Sequence, residues 1–96
     1  MSDSNTGKEH WKVQITSPAL KTFRRLPEKA AAAIVEFVSG ALAANPHRLS
    51  KPLTNELIGM RTARRGDYRV LFTLDIEEHV LYIHRIQHRA DVYKPR

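Results

Sequence analysis

Residues 59–87 read GMRTARRGDYRVLFTLDIEEHVLYIHRIQ, and the alternation inside that stretch decides the fold. Tyr68, Val70, Phe72 and Leu74 share one side of an extended chain while Arg69, Leu71 and Thr73 share the other, the two-residue period of a β-strand. Its aromatic and β-branched residues suit a pleated, half-buried surface. Upstream, Gly59 opens a strand that runs to about Arg64, and Arg65-Gly66-Asp67 makes a tight hairpin turn because Gly66 tolerates a positive φ. Downstream, Asp75 to Glu78 is an acidic turn, after which Val80, Tyr82, His84 and Ile86 alternate with Leu81, Ile83, Arg85 and Gln87. The stretch is a three-stranded antiparallel meander. If Tyr68, Val70 and Phe72 face the core, Arg69 emerges on the opposite side. By the same alternation His84, beside Val80, Tyr82 and Ile86, reads as a satisfied core histidine.

Working outward, residues 11–16 (WKVQIT) set Trp11, Val13 and Ile15 against Lys12, Gln14 and Thr16, which makes a first strand. Ser17-Pro18 is a helix start, since the serine hydroxyl can cap free amides and proline in the first turn loses no hydrogen bond. Leu20, Phe23 and Leu26 then recur at helical spacing. Pro27 opens a second helix with an alanine run and a broad apolar face of Ile34, Val35, Phe37, Val38, Ala41 and Leu42, closed by Asn45-Pro46. Residues 47–57 lack a period and form a connecting loop. The expected fold is α+β: a strand, two helices and the meander, with the helices packed on one face of a four-stranded sheet. Residues 1–10 are expected to be a flexible tail, and 11–96 a single domain, because 96 residues enclose one core.

Charge points to the partner. Sixteen Lys and Arg against ten Asp and Glu give +6 and a pI near 10.1, a field that attracts polyanions. Arg61, Arg64, Arg65 and Arg69 crowd the hairpin against Asp67 alone, and Arg85, Arg89 and Lys94 follow. The planar guanidinium fork suits phosphate better than a lysine point charge does. Zero cysteines remove disulfides and thiolate metal sites and fit a cytoplasmic setting. No apolar run is long enough for a membrane span. Glycines at 7, 40, 59 and 66 never approach the spacing of a nucleotide cradle, and His10, His47 and His79 show no ligand spacing, so neither metal nor cofactor is expected.

Three strings then carry a family likeness: Lys51-Pro52-Leu53, the hairpin from Ala63 to Phe72, and the ending His88-Arg89-Ala90-Asp91-Val92-Tyr93. In order and spacing, over about residues 11 to 94, the chain resembles the RelE-type toxins of the RelE/ParE toxin–antitoxin superfamily, particularly those of actinobacteria. The resemblance implies a RelE-like fold and a toxin that enters the ribosomal A site, cleaves messenger RNA and so inhibits translation. It also implies a cognate antitoxin that wraps the toxin and through which operator DNA is met. Such mRNA interferases are metal-independent endoribonucleases: the RNA 2′-hydroxyl attacks the neighbouring phosphorus and leaves a 2′,3′-cyclic phosphate and a 5′-hydroxyl.

Three jobs follow, namely proton removal, stabilisation of the phosphorane and stabilisation of the leaving oxygen. By position, the resemblance implies Arg69 as the phosphate grip, Arg89 as the leaving-group residue and Tyr93 as the tyrosine that orients the RNA. Arg64 falls where relatives carry a basic residue, and Arg61, Arg65, Lys51, Arg85 and Lys94 extend the RNA-binding surface. One departure stands out. Relatives place lysines on the strand before the hairpin turn, where this chain has Met60 and Thr62. The base is then His88, or Lys51, or an arginine acting electrostatically. Two other functions suit the same scaffold: a ParE-like poison of DNA gyrase, or a catalytically weak toxin acting mainly as an antitoxin-binding co-repressor.

Overall fold

The alternation of Trp11, Val13 and Ile15 yields strand β1 (Lys12–Ile15), after which helix α1 (Ser17–Arg24) begins with Pro18 in its first turn; Thr16 and not Ser17 is its N-cap, and no side-chain hydrogen bond caps it. Helix α2 (Glu28–Phe37) follows Pro27 and runs on as a π-helical turn, Val38–Leu42. Two local features loosen the backbone there: the Ser39 hydroxyl donates to the Val35 carbonyl at 2.6 Å, and Gly40 has low helix propensity. Then come β2 (Lys51–Pro52), β3 (Arg61–Arg65), β4 (Tyr68–Asp75), β5 (Val80–His88) and the short α3 (Arg89–Val92). The computed structural model describes residues 10–54 and 57–92. Residues 1–9 of the expected tail, and Tyr93 and Lys94, lie outside the described residues.

The strands form one mixed sheet in the order β1-β5-β4-β3-β2. β3, β4 and β5 are the expected antiparallel meander, and β1 joins β5 in parallel, Lys12 opposite Val80. A parallel pair cannot be closed by a hairpin, so α1 and α2 carry the chain away from β1 before the meander returns to it. Both helices pack on one face. Ala19, Ile34, Val38 and Leu42 meet Ala63, Val70, Phe72, Leu81, Ile83 and Ile86 in the buried core, with Tyr68 and Leu74 packed against it. The helix-facing side of β4 is therefore the one expected, and Arg69 and Thr73 emerge on the helix-free face. Leu71 is buried there, between Thr62 and Arg85 in the register.

Two expectations are corrected. The sheet has five strands instead of four, because Lys51 and Pro52, read as loop, pair with Thr62 and Arg61. A two-residue strand containing a proline is too short to show a period, and it exists through its partner alone. The second correction concerns β5. Its register against β4 shifts between Leu71 and Phe72: Leu71 lies opposite Arg85, but Phe72 lies opposite Ile83, which leaves His84 as the extra residue of a β-bulge. Leu81 and Ile83 face the core before the bulge and Ile86 after it. Val80, Tyr82 and His84 do not share the side of Ile86. His84 is a satisfied histidine, with Nε2 at 2.9 Å from the Thr73 hydroxyl, but it lies on the helix-free face.

Candidate nucleic-acid interface

The hairpin positions the arginines. Gly66, at φ +62°, turns the chain in a conformation that L side chains rarely adopt, so β3 and β4 run back to back with Arg64 opposite Arg69 and Arg65 opposite Tyr68. On the other flank Arg69 pairs with Gln87, and Tyr68 with His88. One further hydrogen bond sets the site: the Arg89 amide donates to the Asp67 carbonyl at 2.7 Å, tying the start of α3 to the hairpin turn. Residues distant in sequence thereby meet at one end of the sheet. Arg64, Arg69 and Arg89, with Gly66, Asp67 and Tyr68, line a hollow of about 90 Å³.

A wider trough of about 630 Å³ adjoins it, lined by Arg48, Leu49, Ser50, Lys51 and Thr62 and sharing Arg64 and Arg69 with the hollow. Among the described residues no ion pair joins Arg64, Arg69 or Arg89 to an acid. Like charges directly across a strand pair are destabilising. A fold that nevertheless converges three guanidinium groups presents a ready site for a bound anion, with forks that fit phosphate oxygens. No group of three His, Asp or Glu among the described residues is placed to hold a metal ion.

The remaining residues singled out from the sequence fall elsewhere. Lys51 lines the trough. Arg85 is exposed on the helix-free face opposite Leu71, outside both recesses. Arg65 is exposed at the hairpin end, on the side of β3 that Ala63 presents to the core. Arg61, expected on the RNA-binding surface, is engaged internally: Nε donates to the Ser50 hydroxyl at 2.7 Å, and Nη2 to the His47 and Ser50 carbonyls at 3.2 and 3.3 Å. It stabilises the segment that walls the trough.

His88 is the last residue of β5. Its ring stands edge-on to Tyr68 at 5.0 Å, and its Nδ1 accepts the Ala90 amide at 3.0 Å. Through Tyr68 it belongs to the helix-packed side and not to the side of Arg69. Sequence reasoning missed Arg48, Asp67 and Gln87. Arg48 sits in an aperiodic stretch between two prolines, and nothing in that stretch signals its approach to β3. Gln87 becomes Arg69's neighbour only through the register.

No helix of the described residues is long and apolar enough to cross a membrane. Residues 13–93 match the family described as "ParE toxin of type II toxin-antitoxin system, parDE". The chain is 52% identical to Toxin RelE of Mycobacterium tuberculosis (strain ATCC 25618 / H37Rv) over 82 residues, 85% of this chain and 84% of that one. It is 44% identical to Toxin RelG of the same organism, over 85% of this chain and 94% of the relative. Among solved structures, the toxin–antitoxin complex RelBE2 from Mycobacterium tuberculosis aligns with a TM-score of 0.81 at 43% identity, covering 85% and 94% of the two chains. The isolated E. coli RelE toxin aligns at 0.68 with 16% identity, over 86% and 90%, a likeness of fold alone. The five-stranded α+β scaffold, the match over residues 13–93 and these identities together establish that the chain belongs to the ParE toxin family of type II toxin–antitoxin systems, within the RelE/ParE superfamily.

Proposed function

We propose that this toxin is a ribosome-dependent endoribonuclease that cuts messenger RNA in the A site, in the cytoplasm, and is held inactive by a cognate antitoxin. One observation supports the reading above all: Arg64, Arg69 and Arg89 reach a single hollow without an acid paired to any of them among the described residues. In the reaction the 2′-oxygen forms a bond to phosphorus as the bond from phosphorus to the 5′-oxygen breaks. Arg69, with Arg64 beside it, holds the non-bridging oxygens, whose charge grows in the phosphorane. Arg89 stabilises the departing 5′-oxygen, which takes its proton from solvent. Tyr93, four residues further on, keeps the RNA-orienting role that the resemblance implies.

Proton removal from the 2′-hydroxyl is assigned to electrostatics. Lys51 stands in the adjoining trough and His88 beside Tyr68, so neither lines the hollow. The guanidinium cluster favours the 2′-alkoxide, and the proton passes to water. An antitoxin partner is supported by the RelBE2 relative, itself solved as a toxin–antitoxin complex.

The test is primer extension on cellular messengers after induction of the toxin, paired with plasmid topology in the same cells. Cuts within translated codons are expected. The family description names ParE, which favours a second reading, a gyrase poison. Intact messengers with broken or supercoiling-defective DNA would establish that reading and end the first.

A further inference from the structure

The wall of the trough beside the hollow is built from a segment held rigidly in place. Pro46 is buried, the Ser50 hydroxyl donates to the Pro46 carbonyl at 2.6 Å, and the Leu49 amide donates to the Asn45 carbonyl at 3.2 Å. Arg61 adds its three hydrogen bonds to His47 and Ser50, and Lys51 is fixed opposite Thr62 by the β2–β3 pairing. A surface already ordered before binding loses little freedom on taking up a ligand. What this segment displays is suited to a nucleotide: Arg48 and Lys51 are exposed cations, and Leu49 between them is 40% exposed. Across the trough, Thr62 Oγ1 is buried with no hydrogen-bond partner among the described residues. Its far side is Arg64 and Arg69, the same side chains that line the hollow.

We propose that this trough is a second nucleotide subsite, continuous with the hollow, which holds the RNA nucleotide beyond the two that flank the cleaved linkage. Arg48 and Lys51 take its phosphate, and Leu49 packs against its ribose or base. At about 630 Å³ the trough lies within the roughly 300–1,000 Å³ usual for ligand pockets. Arg61 is its positioning residue, acting through Ser50 and His47 without touching RNA. The inference rests on the RNA-cleaving reading above.

Fluorescence anisotropy with labelled, 2′-O-methylated and hence uncleavable RNA tests it, using a dinucleotide whose linkage sits in the hollow and a hexanucleotide that also spans the trough. In the Arg48→Ala/Lys51→Ala double variant, hexanucleotide affinity falls at least about tenfold. Its log–log salt slope shrinks by about 0.7, as expected when one phosphate of a single strand is no longer neutralised by the protein. Dinucleotide affinity stays at the wild-type level. Arg61→Met reproduces the hexanucleotide loss with dinucleotide binding intact, and Arg61→Lys restores part of it. Arg69→Ala weakens both RNAs.

If the double variant binds the hexanucleotide as wild type does while Arg69→Ala still weakens both, the subsite is overturned and the RNA-cleaving reading survives, with the trough left to a protein partner. Equal losses for both RNAs in the double variant also overturn it, since the trough is then not separate from the hollow. If Arg69→Ala leaves both affinities unchanged, the RNA-cleaving reading falls and takes the subsite with it.

Discussion

Replacing Arg69 by methionine should make the protein more stable and far less active at once. Arg69 lies directly opposite Arg64 in the β3–β4 register and shares the hollow with Arg89, with no acid paired to any of the three among the described residues. Like charges opposed across a strand pair cost about 0.2–1 kcal/mol. Methionine keeps most of the unbranched stem that half-buries in the strand and removes the charge. At about 4–8 °C per kcal/mol for a domain of this size, Tm should rise by roughly 1–8 °C at low ionic strength. The gain should vanish near 1 M salt, where the screening length falls to about 3 Å. Single-turnover cleavage on programmed ribosomes should fall by about 10²–10³, the usual loss when a positioned charge-stabilising donor is removed. Thermal melts by circular dichroism at both salt concentrations, beside the cleavage assay, check the pair of effects. A variant that melts below wild type at both salts, or that cleaves at the wild-type rate, refutes the placement of Arg69 as an unpaired phosphate ligand.

Three further outcomes follow from the geometry. Arg89→Ala should slow single-turnover cleavage by about 10² or more with Tm little changed, because its backbone bond to Asp67 is retained while the guanidinium is lost; unchanged single-turnover kinetics would remove Arg89 from the site. Phe72→Ala should cost about 3–5 kcal/mol in urea unfolding, since the ring is fully buried between the helices and the sheet; a cost below about 1 kcal/mol would contradict that packing. Gly66→Ala should cost about 1–2 kcal/mol through φ alone, as an added Cβ meets nothing within 4 Å; a neutral melt would show that the hairpin turn relaxes to another conformation.

Much of the fold follows from local pattern. The alternation around Phe72 and the helical spacing of Leu20, Phe23 and Ile34 report which side of each element avoids water, and burial of Val70 and Phe72 beneath the helices agrees. The exceptions are places where a partner strand decides. His84 breaks the period of β5 because the bulge is a mismatch between two strands, and neither strand carries it alone. Lys51-Pro52 becomes a strand because β3 offers it an edge.

The arginines divide in the same way. Their number, their crowding near the turn and the polyanion they imply are properties of the chain itself, as is the family likeness carried by its short strings. Which of them act together is decided by tertiary structure. Arg64 and Arg69 meet through the hairpin register, Arg89 joins them through a backbone bond to Asp67, and Arg61 is drawn away to brace the loop at Ser50. Periodicity and charge are set residue by residue, whereas convergence depends on hydrogen-bond register between segments some twenty residues apart, and a shift of one residue sends a side chain to the opposite face.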